Sequence, residues 1–319
     1  MRDVAIVSFS QATFDQTRAS ESELLLPVLD EVVAKVGMTK QDIGFTCSGS
    51  TDYLAGQPFS FVAALDAVGP WPPISESHVE MDGAWALYEA WLWLQSGDSD
   101  TALVYAFGKT SSSDLSRTLA LQLDPYAVGP LFPDSHGLAG LQARALIDAG
   151  LLAPTAAGAD TYAPLGPADL PPTTDGAAAV VLAAGDQARE LTDNPVWIRG
   201  IDHRIEPQAL GLRDLTDSTS TRTAAKAAGH NGAPIDFAEL HTRYPHEEVV
   251  LRRALDLDDS VPVNPSGGPR NADPFMATGL IRIGAAAQRL ADGDGRRALA
   301  HATSGACLQQ NLVSILEVA

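Results

Sequence analysis

Along this chain, short unbroken apolar runs alternate with longer segments whose apolar residues recur every three or four positions. The runs at 4–9 (VAIVSF), 101–109 (TALVYAFGK) and 175–184 (DGAAAVVLAA) lack regular polar alternation, so they predict strands covered on both faces. Further strands are predicted at 43–49, 75–81, 196–203, 236–241, 298–305 and 311–318. Helical spacing predicts a helix over 20–37, with Ser20 or Ser22 as N-cap and an apolar face through Leu24, Leu29, Val32, Val33 and Val36. Helices are also predicted near 58–69 and at 83–97, 137–150, 219–232, 247–257 and 275–293. The stretch 153–174 is rich in Ala, Pro and Gly without periodicity and predicts a loop.

The strand–helix alternation runs twice, over 1–185 and 186–319, with an irregular excursion at about 112–174 in the first half. That order predicts an internally duplicated, layered α/β fold. Trp71, Trp85, Trp91 and Trp93 gather around the 83–97 helix. Trp85, Trp91 and Trp93 cannot share one narrow stripe, so this helix is either buried all round or meets another subunit.

Charge narrows the function classes. Forty acidic against 21 Lys or Arg residues give a net charge of −19, which excludes a phosphate-tracking nucleic-acid binder. Two cysteines, Cys47 and Cys307, exclude a disulfide scaffold and a Cys-rich metal site. No metal-ligand spacing is visible, so no metal is expected. The N-terminus turns polar too early for a signal peptide, and Glu89 interrupts the most apolar stretch, which is too short to span a membrane. A cytoplasmic protein is the expectation.

The most specific segment is VPVNPSGGPRNADPFMATG (261–279). Asn264 and Pro265 end a strand, Gly267 and Gly268 permit close backbone approach, and residues 271–274 are expected at a helix N-terminus. This segment resembles the Asn-Pro-x-Gly-Gly…Gly-His-Pro…Thr-Gly stretch of the thiolase superfamily. In the same order, 78–109 resembles that family's nucleophile strand and helix, 175–183 its Asp-Gly-Ala-Ala-Ala strand, 236–255 its Glu-Leu-Asn-Glu-Ala-Phe region, and 298–311 its last catalytic loop. The resemblance implies a thiolase-like five-layered αβαβα fold from two duplicated halves, with a shortened loop excursion. His241 makes the chain similar to sterol-carrier-protein-type thiolases and actinobacterial lipid-transfer proteins.

Matched residue by residue, the chemistry departs from the family. Glu80 stands where the acyl-accepting cysteine belongs, and Asp273 matches the Gly-His-Pro histidine. The family's second cysteine falls near Ala302, while Cys307 lies beyond it, so Cys-dependent thiolysis is not expected. His241 holds the oxyanion-stabilising position, where an imidazole can donate to an oxyanion or take a proton. His241, Asp273 and Glu80 are therefore the candidate catalytic residues. Glu80 and Asp82 also suit the start of a helix as caps, and Tyr244, at the family's Phe position, suits packing.

The resemblance implies work on acyl-CoA thioesters as substrate, with no bound cofactor, in lipid or steroid side-chain breakdown. A cysteine-free site is compatible with retro-aldol cleavage of a β-hydroxyacyl-CoA. The alternative is a non-catalytic thiolase-fold subunit supporting an active paralogue. Arg222 and Lys226 are the candidates for coenzyme A phosphates. The expected partners are a second copy, a thiolase paralogue, or a small zinc-ribbon/OB-type protein, with association through the strand at 75–79.

Overall fold

The structure is a computed structural model that describes residues 1–69, 75–154 and 162–318. The first half runs β1 (Val4–Phe14), α1 (Glu21–Ala34), β2 (Phe45–Gly49), α2 (Asp52–Ala55), α3 (Leu65–Val68), β3 (Glu76–Val79), α4 (Gly83–Ser96) and β4 (Thr101–Lys109). It continues with α5 (Leu115–Leu121), α6 (Ser135–Asp148), β5 (Asp175–Ala184) and α7 (Gly185–Leu191). The second half runs β6 (Val196–Ile205), α8 (Thr219–Ala227), β7 (Phe237–Glu239), α9 (Pro245–Ala254), α10 (Thr278–Ala291), β8 (Arg297–Ser304) and β9 (Gln310–Glu317).

Among the described residues the strands form one sheet in the order β3-β2-β4-β5-β1-β6-β9-β8-β7. Its two halves are joined only where β1 meets β6, through the pairs Ala5↔Trp197 and Ile6↔Val196. Read outward from that seam, β1-β5-β4-β2-β3 is answered by β6-β9-β8-β7, and Val263 forms a parallel bridge to Ala238 where a counterpart of β3 would lie. The duplication expected from the alternation is therefore visible in the topology.

Period-2 burial shows the layers. Ala178, Val180 and Leu182 of β5 pack with α4 and α10, while Ala177, Ala179 and Val181 pack with α1 and α3. In the other half, Ala298, Ala300 and Ala302 of β8 face the same central helices, and Leu299 joins the core beneath α8 and α9. The result is helix, sheet, helix pair, sheet, helix. This is the five-layered arrangement expected. No described helix is long and apolar enough to cross a membrane.

Local chemistry explains the element ends. Ser20, not Ser22, caps α1: its hydroxyl accepts from Glu23 N–H at 3.2 Å, and Glu23 accepts from Ser20 N–H at 2.8 Å. The helix expected near 58–69 is instead a 3₁₀ turn at Ser60–Ala64 followed by the single turn α3. The excursion holds two helices rather than one, because α5 is too short for its periodicity to show. Trp85 and Trp91 are buried, whereas Trp93 stacks on Phe45 at 4.5 Å and stays partly exposed beside exposed Leu92. So α4 is not buried all round. Trp71 lies outside the described residues.

The junction of α4, β4 and α10 leaves no room for an added methyl group. A Cβ on Gly83 would sit 2.5 Å from Ala106 Cβ and 3.0 Å from Leu280 Cβ. Gly83→Ala is expected to lower stability by about 1–3 kcal/mol through overpacking, read as a lower urea midpoint at unchanged m-value.

Candidate active site

The Asn-Pro-x-Gly-Gly segment works as a clamp on the end of β7. Asn264 takes φ +53°, a conformation asparagine tolerates better than most residues. Its Oδ1 accepts from Leu240 N–H at 2.7 Å and its Nδ2 donates to Thr242 Oγ1 at 3.0 Å. A Cβ on Gly268 would lie 2.8 Å from Asn264 Nδ2, so glycine is required there. Behind the clamp, buried Arg282 Nη1 donates to Glu239 Oε2 at 2.8 Å and to Ser266 Oγ at 2.7 Å. This network fixes residues 240–242 and so the position of His241.

His241 and Asp273 are brought together, with Nε2 and Oδ1 3.9 Å apart. The Thr303 backbone N–H donates to His241 Nδ1 at 3.4 Å, which places the ring proton on Nε2. Burial pushes His241 down to about 3, against the opposing pull of Asp273, so the imidazole is neutral. Both oxygens of Asp273 are engaged. Its Oδ1 accepts from Thr278 Oγ1 at 2.8 Å and its Oδ2 from Arg243 Nε at 2.7 Å. Burial alone would raise the Asp273 carboxyl, but Arg243 and His241 hold it below the usual carboxylate range.

Asp273 is not the helix cap that its motif position suggests. Helix α10 begins at Thr278, and its first N–H groups are met from another element. Gly279 N–H and Leu280 N–H donate to Asp82 at 2.9 and 3.1 Å, while Asp82 also accepts from Ala84 N–H at 2.8 Å. One buried carboxylate thus caps both central helices. Burial pushes it up to about 7 despite those donors.

Glu80 lines the same cavity but its bonds lead elsewhere. Its Oε1 accepts from Thr51 Oγ1 at 2.7 Å and from Asp52 N–H at 2.6 Å, at the start of α2, and its Oε2 lies 3.5 Å from His78 Nε2. No bond joins it to His241 or Asp273. Arg222 and Lys226 are exposed on the outer helix α8, Arg222 is paired with Asp217 at 2.6 Å, and neither lines the cavity. Among the described residues no cluster of three or more His, Cys, Asp or Glu side chains could hold a metal ion.

The cavity measures about 540 Å³ and lies where α4 and α10 begin, walled by the β7–α9 loop and the loop before β9. Residues of α5 and α6, the reduced excursion, supply a further wall. Four charged lining groups escaped the sequence reading: Asp124, Arg213, Arg243 and Glu247. Arg243 is raised net by Asp273 although burial opposes its charge. A basic residue two positions after His241, in an otherwise strand-like stretch, was the available signal. Tyr244 is buried, and its hydroxyl lies 2.8 Å from His136 Nδ1, in keeping with a packing role.

No protein-family profile matches the chain. It is similar to an acetyl-CoA acetyltransferase of Methanothermobacter thermautotrophicus, with 32% identity over 44% of this chain and 43% of that protein. It is also similar to an acetyl-CoA acetyltransferase of Methanocaldococcus jannaschii, with 24% identity over 89% of this chain and 88% of the relative. Human mitochondrial 3-ketoacyl-CoA thiolase shares the fold, with a TM-score of 0.73, 15% identity, and coverage of 100% of this chain and 99% of that one. The likeness to the solved structure shows the thiolase fold.

Two outcomes follow from the site's electrostatics. Both cysteines are buried, and burial pushes each thiol up to about 12. Iodoacetamide at neutral pH is expected to modify neither in the native chain and both in urea, as read by mass spectrometry. For His241, the folded value lies below the unfolded one of about 6.5. The unfolded chain therefore gains the proton first, and stability falls as pH drops from about 6.5 toward 3. His241→Gln should remove that loss, gaining up to about tenfold in folding constant per pH unit relative to wild type in this window. Urea titrations across the range test it.

Proposed function

We propose that this chain acts on acyl-CoA thioesters in the cytoplasm, in lipid or steroid side-chain breakdown, without forming an acyl-cysteine. The reaction proposed is retro-aldol cleavage of a β-hydroxyacyl-CoA. The observation that carries it is the composition of the cavity at the N-termini of the two central helices. It offers a neutral imidazole N–H, a buried Arg–Asp pair and carboxyl groups, while the segment entering α4 reads Glu80, Met81, Asp82. The cysteine that does line the cavity, Cys307, is a buried thiol pushed up to about 12 that donates to Leu138 O at 3.3 Å.

Each residue has a task in this reading. His241 Nε2–H is a fixed donor for the thioester oxygen as it gains enolate charge. The helix ends add positive potential at the same place. Arg243 is held by Asp273 and so contributes a positioned cation rather than a mobile one. Likeness to the sterol-carrier-protein-type group supports the carbon–carbon cleavage, and the volume suits a thioester with its acyl chain.

One observation favours a non-catalytic subunit instead. Asp273 spends both oxygens within the protein, and Glu80 spends its carboxylate on the start of α2. In either reading the edge strand β3, which among the described residues pairs with β2 alone, is the proposed seat of association. The partner would be a second copy, a thiolase paralogue or a small zinc-ribbon/OB-type protein. Purified with such a partner, the assembly is expected to bind acyl-CoA by calorimetry and to lose at least about 100-fold in turnover with His241→Ala. Unchanged turnover would leave the supporting role.

A further inference from the structure

Five carboxylates line the cavity, and their hydrogen bonds separate them. Asp82 spends Oδ1 on Ala84 and Leu280 N–H and Oδ2 on Gly279 N–H. Asp273 spends Oδ1 on Thr278 and Oδ2 on Arg243. Glu80 caps α2 through Oε1, and Asp124 caps its own turn through Oδ1, accepting from Tyr126 and Ala127 N–H at 2.7 and 3.1 Å; both side chains are open to solvent, Glu80 exposed and Asp124 partly so.

Among these five, Glu247 is the buried carboxylate that keeps an oxygen without a hydrogen bond. It sits in the first turn of α9, 5% exposed, and only its Oε2 is engaged: Arg243 N–H donates at 2.7 Å and Tyr244 N–H at 3.1 Å. Among the described residues Oε1 has no hydrogen-bond partner. Backbone donors therefore hold this carboxylate in place while leaving one oxygen for a ligand. His241 cannot fill the same role, because its Nδ1 lone pair faces the Thr303 N–H and its Nε2 carries the proton.

We infer that Glu247 is the general base of this cavity, taking a proton from the acyl thioester and returning it. The inference rests on the acyl-thioester reading and names a catalytic group for it. In the cleavage, Glu247 takes the β-hydroxyl proton and the oxygen's electron pair forms the new C=O bond. The Cα–Cβ bond breaks, and its electrons pass into the thioester as an enolate, with His241 Nε2–H donating to the oxygen. The Glu247 carboxylic acid then returns the proton to Cα. A carbonyl compound and a shortened acyl thioester leave, the carboxylate is restored, and no oxidant or reductant is consumed.

The proton affinity of the group fits. Burial pushes Glu247 up to about 7, against the two backbone donors and Arg243. The groups coupled to it are Arg243 and Tyr244 from the loop before α9, Asp273 from the loop before α10, and Cys307 from the loop before β9.

Proton exchange at Cα tests this without knowledge of the natural substrate. The full chain is incubated with acetyl-CoA in D₂O over a range of pH, deuterium in the acetyl group is followed by mass spectrometry, and binding is measured by calorimetry. Wild type should exchange at a rate that rises with pH through about 7. Glu247→Gln keeps an oxygen for the Arg243 and Tyr244 N–H groups, so it should fold and bind acetyl-CoA while exchanging at least about 100-fold more slowly. Glu247→Asp should retain an intermediate rate with a displaced pH midpoint. Wild-type exchange in Glu247→Gln, or a wild type that binds acetyl-CoA without exchanging, overturns the assignment. A wild type that does not bind acetyl-CoA overturns the acyl-thioester reading, and this inference with it.

Discussion

Two helix N-termini meet in the middle of this molecule, and a single carboxylate makes that meeting possible. Each terminus presents unsatisfied N–H groups and the positive end of a macrodipole, so two of them buried side by side repel. Asp82 accepts from Ala84 on α4 and from Gly279 and Leu280 on α10. The approach is close enough that a Cβ on Gly279 would collide with Asp82 Oδ1 and come within 2.7 Å of Ala302 Cβ. Met276 is part of the same junction: it takes φ +77°, and its carbonyl accepts the Gly83 N–H at 2.8 Å. The cavity exists because these two ends converge without filling the space in front of them. The site and the five-layered core therefore share one constraint.

A second buried charge set, Arg243 with Asp273, fixes the site's electrostatics. Burying such a pair costs desolvation on both sides, so it is weak evidence for stability, although removing one partner alone would cost about 3–5 kcal/mol. Its effect on the neighbouring imidazole is clearer. Asp273 would favour a protonated His241, but burial together with Arg243 outweighs it. The chain carries a net charge of −19, and around an anionic thioester the local placement of Arg243 and Arg213 matters more than that total.

Much of this was legible in the sequence, and the remainder was hidden for definable reasons. The buried runs at 101–109 and 175–184 and the helix at 83–97 could be read because burial on both faces, or helical spacing over four turns, leaves a pattern long enough to see. The one-turn α2 leaves none, and near 58–69 the spacing overstated the helix, of which only a 3₁₀ turn and the single turn α3 form. His241 and Asp273 were reachable because motif spacing marks their positions. Arg243 and Glu247 were not, since their significance depends on a partner thirty residues away and on which oxygen remains free. Glu80 shows the limit of motif position: it occupies the nucleophile's place in the alignment, yet the turn after β3 delivers its carboxylate to Thr51 and Asp52.

A thiolate is needed for one route through such a cavity and not for the other. Acyl transfer to cysteine requires a nucleophile that leaves and re-forms a covalent bond. Enolate formation requires only a base beside Cα, a donor beside the thioester oxygen, and exclusion of water. The bonding pattern divides the cavity along that line. Asp82 and Asp273 have every oxygen engaged by the protein and so act as scaffold. Among the buried side chains of the site, His241 Nε2–H and Glu247 Oε1 are held in place by neighbours yet carry no hydrogen bond themselves. Leaving a buried donor and a buried acceptor without a protein partner costs stability, since closing either with a local partner would stabilise the fold. A buried donor and a buried acceptor on one cavity are the pairing that the proposed proton transfer needs.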